Sequence, residues 1–178
     1  DAAALMVEHA RIAGQMNATL AALGGAIEFH RGQYERALPY LTEAQKHHPE
    51  DMTIRANLAE AHFRCGNHSA AITLCDDANI ERDVTYRLAR LGGHLAQEAE
   101  NYTYAIKCYR LVANAQSDDW TIWNNLGNAL SAAGYHSDAA ETLARAALLA
   151  PDSAPIQLNL GHTLFQAGHF DDAERILK

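Results

Sequence analysis

The amino-acid sequence predicts an all-α fold in which antiparallel helix pairs stack into a solenoid. Small residues recur every 34 positions along the 178-residue chain, and a period of that length is typical of stacked helical units. The chain is rich in alanine, which favours helices that pack closely. No stretch of the sequence alternates β-branched and polar residues for long enough to indicate a strand.

The 34-residue period is carried by four columns of small residues. The alanine column is Ala3, Ala37, Ala71, Ala105, Ala139 and Ala173. The glycine column is Gly32, Gly66, Gly134 and Gly168, and Glu100 stands where the remaining member is expected. The two further columns are Gly25, Ala59, Gly93, Gly127 and Gly161, and Ala10, Ala44, Ala78, Val112 and Ala146. Four columns in phase predict a single array over residues 1–178.

The helices follow from this register in chain order. Residues 1–17 fit the second helix of a preceding unit. Five units of two helices each are then predicted at 18–51, 52–85, 86–119, 120–153 and 154–178, the last of them truncated. Because neither end of such an array has a partner helix, we expect the chain to be part of a longer protein.

The fourth unit shows the pattern of a pair most clearly. Apolar residues at helical spacing over Trp120–Ala133 predict the first helix, and Gly134 ends it as a C′ glycine does. A second helix over His136–Leu149 is followed by Pro151, which is typical of a helix end.

Two local features are predicted from the same register. Asn17, Asn67 and Asn101 each stand directly before a helix, where asparagine is a favoured N-cap. His68 and His136 share a repeat position with three aromatic residues, so we expect both histidines to pack as aromatic side chains do.

The fourth unit also carries a longer signature. It reads Trp120-x-x-Trp123-x-x-Leu126-Gly127-x-x-Leu130-x-x-x-Gly134 and continues with Ala139, Leu143, Ala146 and Pro151. In this signature the sequence resembles the tetratricopeptide-repeat family, and the resemblance covers essentially the whole chain. It implies a right-handed α-α superhelix whose first helices line a concave groove, and it points to a fragment of a longer bacterial member of that family.

Composition and motifs argue against several classes of function. A net charge of −8 without a basic stripe is not typical of a nucleic-acid partner. No apolar run is long enough for membrane insertion. Three cysteines without paired spacing are typical of reduced thiols, so we expect a cytoplasmic location. Cys65, Cys75 and Cys108 have neither disulfide nor zinc spacing, and no two histidines stand four residues apart, so no metal or cofactor is expected. Phosphate-binding loops and nucleophile elbows are missing from the sequence, and we expect no catalysis from this chain.

The candidate binding residues come from helical geometry together with the resemblance. At about 100° per residue, one side of each first helix points away from the core, and the resemblance places that side in the groove. The groove residues with binding chemistry are Asn57, Glu60, Arg64, Arg87, Arg90, His94, Asn125, Asn128, Asn159 and His162. Since a side-chain amide has both a donor and an acceptor, a row of asparagines can pair with an extended peptide of any sequence.

The row formed by Asn57, Asn125 and Asn159 is interrupted by Leu91, and it looks like that of repeat arrays attached to glycosyltransferases. The alternative is that these asparagines solvate the groove or bond to neighbouring helices. The groove arginines favour acidic groups on a partner. The carboxylate clamp of chaperone-binding repeats is matched less well. Pro155 and Asn159 stand where that clamp requires cations, so a bound carboxylate would lose most of its ion pairing.

The sequence therefore predicts a protein-interaction scaffold or adaptor that binds an extended peptide or a partner helix in the groove. One alternative is the non-catalytic arm of a larger enzyme such as a sulfotransferase or glycosyltransferase, because Trp120–Gly161 is similar to repeats that precede bacterial sulfotransferase domains. A second alternative is a self-assembly module that forms a homo-oligomer through the apolar faces of its uncapped ends.

Overall fold

The computed structural model describes residues 2–178, and helices are the only regular elements within them. In chain order the twelve helices of these residues are α1 (Ala2–Ile12), α2 (Ala18–His30), α3 (Tyr34–His47), α4 (Met52–Arg64), α5 (His68–Leu74), α6 (Asp77–Arg82), α7 (Arg87–Glu98), α8 (Tyr102–Ala115), α9 (Trp120–Ala132), α10 (His136–Leu149), α11 (Ala154–Gln166) and α12 (Phe170–Leu177). The predicted all-α class built of helix pairs is confirmed. None of these twelve helices combines the length and the apolar character that crossing a lipid bilayer requires.

The chain divides into two compact units, of which the first ends at Leu91 and the second is Gly92–Lys178. In the first unit α2 packs against α1 and α3, and α4 packs against α3 and α5. In the second unit α9 packs against α8 and α10, and α11 packs against α10 and α12. Within each unit the helices contact mainly their neighbours in the chain, as expected of a repeat array.

Each unit has a core of small and branched apolar residues. The core cluster of the first unit consists of Ala21, Ala37, Leu41, Ala44, Ile54, Leu58 and Ala61. A cluster in the second unit consists of Ala140, Leu143 and Leu160. The members of the alanine column from Ala37 to Ala173 are all buried, which explains why this position accepts so little volume.

One close helix contact recurs between a glycine on the first helix of a pair and the residue sixteen positions later on the second. The pairs are Gly25–Leu41, Gly93–Tyr109, Gly127–Leu143 and Gly161–Leu177. A Cβ placed on Gly127 would lie 2.5 Å from Cγ of Leu143, which is closer than real Cβ atoms approach. Glycine at this position therefore sets the spacing of the two helices.

The turns inside the pairs share one backbone conformation. Gly32, Gly66, Gly134 and Gly168 all have φ between +72° and +85°, a left-handed region that glycine enters without a steric penalty. Glu100, which replaces the remaining glycine of this column, has φ +57°. The fold therefore keeps the left-handed turn even where the sequence does not supply glycine.

The 34-residue repeat at residues 52–85 differs from the prediction, because its second helix is broken into α5 and α6. The side chain of Asp76 accepts a hydrogen bond at 2.9 Å from the backbone N–H of Asn79 and so caps a new helix. Asn79 in turn donates from Nδ2 to the carbonyl oxygen of Leu74 at 3.1 Å, which satisfies the end of α5. Ala78 is exposed as a result, and residues 52–85 hold three helices where the sequence predicts two.

Two of the three predicted asparagine caps are confirmed. The side chain of Asn17 accepts from the backbone N–H of Leu20 at 2.9 Å, and that of Asn101 accepts from Tyr104 at 3.3 Å. Asn67 makes no such bond to the helix that follows it, so its predicted capping role is wrong.

Of the two histidines predicted to pack as aromatic side chains, His68 contacts an aromatic ring. The ring of His68 lies 5.5 Å, between centroids, from that of Phe63, as predicted. Nδ1 of His136 is buried and has no hydrogen-bond partner in the part of the chain that the structure describes.

Candidate binding surface

The ten predicted groove residues all lie on the first helices of the pairs. They are Asn57, Glu60 and Arg64 on α4, Arg87, Arg90 and His94 on α7, Asn125 and Asn128 on α9, and Asn159 and His162 on α11. The predicted residues in each compact unit form a separate group. In the first unit two arginines lie on aromatic rings, and in the second unit several side-chain amides lie on α9 and α11.

Asn57 is engaged inside the first unit. The residue is only 6% exposed, and its Oδ1 accepts a hydrogen bond at 2.8 Å from Nη1 of Arg87. Two predicted site residues on neighbouring first helices are therefore joined to each other. In this arrangement Asn57 holds the guanidinium of Arg87 in place.

Two guanidiniums of the first unit rest on aromatic rings. Cζ of Arg87 lies 5.6 Å from the ring centroid of Phe29, and Cζ of Arg64 lies 5.7 Å from that of Tyr34. The two rings touch edge to face, with centroids 5.5 Å apart. Cation–π contacts of this kind stabilise a guanidinium and restrict its plane.

Glu60 completes this group. Its Oε1 accepts a hydrogen bond from Nε of Arg64 at 2.8 Å, one helical turn away. The bond and the charge of Glu60 raise the pKa of Arg64, which keeps that guanidinium charged. We call the set of Phe29, Tyr34, Asn57, Glu60, Arg64 and Arg87 the guanidinium face.

The rings of the guanidinium face were not among the predicted site residues. The sequence feature that marks them is their spacing: Phe29 and Tyr34 stand five positions apart, on either side of the turn between two helices of a pair. The same spacing recurs as Phe63 with His68 and as Phe165 with Phe170, whose centroids lie 5.5 and 5.3 Å apart. The repeat position of these aromatics is visible in the sequence, but their use as a platform for arginine is not.

Arg90 and His94 lie on α7 beyond Arg87. Arg90 is half-buried. His94 is exposed, and its Nε2 lies 3.4 Å from Oε1 of Glu98 on the same helix.

The second unit carries polar links between α9 and α11. Nδ2 of Asn159 donates to Oδ1 of Asn124 at 3.0 Å. Further along the same two helices, Oγ of Ser131 donates to Oε1 of Gln166 at 3.0 Å. The buried Thr163 donates from Oγ1 to Ser131 at 3.5 Å. These bonds fix the two helices to each other through side chains.

Two predicted amides of this surface are open. Asn125 and Asn128 are half-buried on α9 and make no hydrogen bond to any residue from 2 to 178. His162 on α11 is exposed. We call the set of Asn124, Asn125, Asn128, Asn159 and His162 the amide face. Its open amides each supply a donor and an acceptor.

The chemistry of these two faces suits binding. In the part of the chain that the structure describes, no group of three or more histidine, cysteine, aspartate or glutamate side chains could hold a metal ion. What the faces do offer is guanidinium donors in the first unit and amide donors and acceptors in the second. Both are groups that recognise peptides.

Comparison with known proteins agrees with the repeat pattern. A family model described as tetratricopeptide repeat matches residues 28–91 and 130–178. A curated protein of Bos taurus, BBSome complex member BBS4, is 24% identical over 137 residues, which are 77% of this chain and 26% of that protein. The chain thus spans about a quarter of the length of this relative.

Solved structures of MamA are similar to this chain. MamA from residue 41 to its end, from Desulfovibrio magneticus RS-1, has a TM-score of 0.78 at 20% identity and 90% coverage of both chains. A second MamA crystal structure has a TM-score of 0.80 at 16% identity, covering 90% of this chain and 87% of the other. At these identities the likeness shows a common fold.

Proposed function

The chain belongs to the tetratricopeptide-repeat family, and we propose that it is a scaffold that binds an extended peptide of a protein partner on the first helices of its repeats. Membership of the family supports a role in protein interaction in general. The observation that carries the finer proposal is the pair of open amides on α9, Asn125 and Asn128. The donors and acceptors of these two amides are not used within residues 2–178, so they are available to a partner.

The spacing of the two amides fits an extended backbone. Residues three apart on a helix are neighbours on its surface, with Cβ atoms about 5–6 Å apart. An extended peptide presents a backbone N–H and C=O at about every 3.3 Å. Asn125 and Asn128 can therefore pair with backbone groups of neighbouring peptide residues, whatever the side chains of that peptide are.

Asn159 supports this surface in a different way. Because its Nδ2 is bonded to Asn124 at 3.0 Å, it holds α11 against α9 and keeps the amide face in one arrangement. Such preorganisation lowers the entropy cost of binding a flexible peptide. The name of the bovine relative describes it as a member of a complex, which supports a scaffold role for the repeats of this chain.

The test is capture of partners from a lysate of the source organism by the chain and by the double variant Asn125→Ala/Asn128→Ala. Asn114→Ala is the matched control, because Asn114 is an exposed amide on α8, which is the second helix of its pair and not a first helix. We expect one or more proteins to be held by the parent chain and by the control and to be lost by the double variant. Equal retention by all three would contradict binding at the amide face.

A second candidate function is self-association, which is favoured by exposed apolar side chains. Leu5 and Ile12 on α1 are 61% and 70% exposed. On the last helix pair, Phe165 and Phe170 are each 59% exposed. Apolar patches of this kind often mark contacts between proteins.

Light scattering after size-exclusion chromatography tests this second candidate. We expect an oligomer whose mass falls in the variant Leu5→Glu/Ile12→Glu. A parent chain that stays monomeric at its highest soluble concentration would refute self-association and leave the peptide-binding proposal intact.

A further inference from the structure

We propose that the guanidinium face of the first unit binds an acidic side chain, carboxylate or phosphate, of the peptide partner. This inference rests on the proposed scaffold function and names the chemistry that the partner must carry. The charge of this face is opposite in sign to that of the whole chain. The chain as a whole has a net charge of −8, yet this face holds Arg64 and Arg87 against the single carboxylate of Glu60.

The N–H groups of the two guanidiniums are mostly unused. A guanidinium has five N–H donors. Arg87 uses Nη1 for Asn57, and Arg64 uses Nε for Glu60. The remaining N–H groups of both side chains have no acceptor among residues 2–178. These N–H groups are therefore available to an acceptor that a partner supplies.

The rings place these donors in advance. Because Arg87 rests on Phe29 and Arg64 rests on Tyr34, each side chain loses less freedom when an anion binds. The two rings contact each other edge to face, with centroids 5.5 Å apart, so the two arginines rest on adjoining rings. A planar guanidinium held in this way suits a two-oxygen acceptor, which it can bind with two parallel hydrogen bonds.

Asn57 acts as a support for this platform. It is buried, and its Oδ1 fixes Nη1 of Arg87 from below the surface. That bond leaves the other N–H groups of Arg87 for a ligand. Lysine could not replace this arginine, because an ammonium group has no planar fork to share between Asn57 and an anion.

The size and setting of the face favour a peptide over a polyanion. A nucleic acid needs many cations along its track, since affinity comes from the release of many counterions. Two fixed arginines in a chain of net charge −8 do not supply such a track. One or two acidic side chains on an otherwise ordinary peptide match what this face offers.

The probes for the test are two peptides with acetylated and amidated ends, tetraglutamate and tetraglutamine. Binding is followed by NMR titration. The chemical shifts of the Nε–Hε signals of Arg64 and Arg87 are recorded as peptide is added, and the dissociation constant is obtained from them. We expect tetraglutamate to shift both signals and tetraglutamine to shift neither. A peptide with one phosphoserine between glycines, together with inorganic phosphate alone, tells whether a phosphate group binds as well as a carboxylate does.

Variants locate the binding on this face. We expect Arg87→Gln and Arg64→Gln each to weaken tetraglutamate binding by about five-fold or more, the loss of a charged hydrogen bond. Arg87→Lys, which keeps the charge, should also weaken it. Arg110→Gln, on the exposed surface of α8, is the matched control and should bind as the parent chain does. Far-UV circular dichroism of each variant verifies that the helices are intact.

The outcomes separate this inference from the proposed function. Loss of tetraglutamate binding in the Arg64 and Arg87 variants but not in Arg110→Gln supports it. Equal binding of both peptides, no binding, or equal affinity in all variants overturns it. If a lysate partner depends on Asn125 and Asn128 while tetraglutamate fails to bind the parent chain, the scaffold proposal stands and the acidic-ligand inference fails.

Discussion

Arg87 donates a hydrogen bond from Nη1 to Oδ1 of Asn57 at 2.8 Å, across 30 positions of the sequence. Asn57 shares its repeat position with Asn125, yet the two amides are in different states. The first is buried and bonded, and the second is half-buried and open. A shared repeat position therefore does not give a shared role, because the residue on the next helix decides whether the amide is occupied.

Alanine substitutions at these two positions are expected to differ in stability. Asn57→Ala should lower the free energy of unfolding by about 1 kcal/mol, since it removes a buried hydrogen bond and leaves an N–H of Arg87 without its acceptor. Asn125→Ala should change it by less than about 0.5 kcal/mol, because no intramolecular bond is lost. Urea denaturation of both variants measures the difference. Equal losses would show that Asn57 and Asn125 are equivalent after all.

Glu100 offers a stabilising substitution. Its backbone has φ +57°, a conformation that costs a residue with a Cβ of the order of 1 kcal/mol. Glu100→Gly should therefore raise the free energy of unfolding by about 0.5–1 kcal/mol. This is the net gain after the opposing effect of glycine, which increases the conformational entropy of the unfolded chain. The converse variant, Gly134→Ala at φ +85°, should lower it. A thermal melt of each variant decides, and a Glu100→Gly protein that melts below the parent would contradict the argument.

The fold was predictable because its information is periodic, and the departures occur where single side chains act. The 34-residue columns give the helix pairs and the left-handed turns. The break between α5 and α6 depends on Asp76 and Asn79, whose two side-chain bonds replace one stretch of helix. The columns of small residues do not depend on these two side chains, so the repeat pattern does not predict the break between α5 and α6.

The site was predictable in part for a related reason. Helical periodicity tells which side of a first helix is free, and the ten predicted residues do lie on first helices. It does not tell which side chains meet across 30 or more positions. The contact of Arg87 with Phe29 and the bond of Asn159 to Asn124 are of that kind. Both depend on the spacing of neighbouring helices, which is a property of the packed structure.

The close contact between Gly127 and Leu143 predicts an overpacking effect. A Cβ on Gly127 would lie 2.5 Å from Cγ and 2.9 Å from Cδ2 of Leu143. Gly127→Ala should therefore lower stability, because overpacking costs about 1–3 kcal/mol and outweighs the helix-propensity gain of about 1 kcal/mol. In the background of Leu143→Ala the same substitution should be neutral or stabilising. A double-mutant cycle by urea denaturation measures this coupling, and additive effects would contradict it.

Asp83 is a buried cap whose loss should be costly. Its Oδ2 accepts from the backbone N–H of Leu88 at 2.8 Å, and its Oδ1 accepts from N–H and Oγ1 of Thr85 at 3.0 and 2.5 Å. Asp83→Ala should lower the free energy of unfolding by about 2 kcal/mol, because the N–H of the buried Leu88, near the start of α7, loses its acceptor. The exposed Asp118 provides the control. A loss no greater than that of Asp118→Ala would refute the capping role.

Tyr109 predicts how stability depends on alkaline pH. Burial raises the pKa of Tyr109 from its ordinary value of 10 to about 12, and its hydroxyl donates to Oε1 of Gln97 at 3.3 Å. Between pH 10 and 12 the unfolded chain therefore releases this proton while the folded chain retains it. Since the unfolded state then binds fewer protons, the free energy of unfolding falls as pH rises through this interval.

The variant Tyr109→Phe isolates this contribution. At pH 9 it should be slightly less stable than the parent, by about 0.5–1.5 kcal/mol for the lost hydrogen bond. Because phenylalanine has no proton to lose, its stability should decline less steeply above pH 10, so the two proteins should converge or cross near pH 12. Urea denaturation at pH 9, 10, 11 and 12 measures both curves. Parallel curves over this range would show that the phenol of Tyr109 ionises as freely in the folded chain as in the unfolded one.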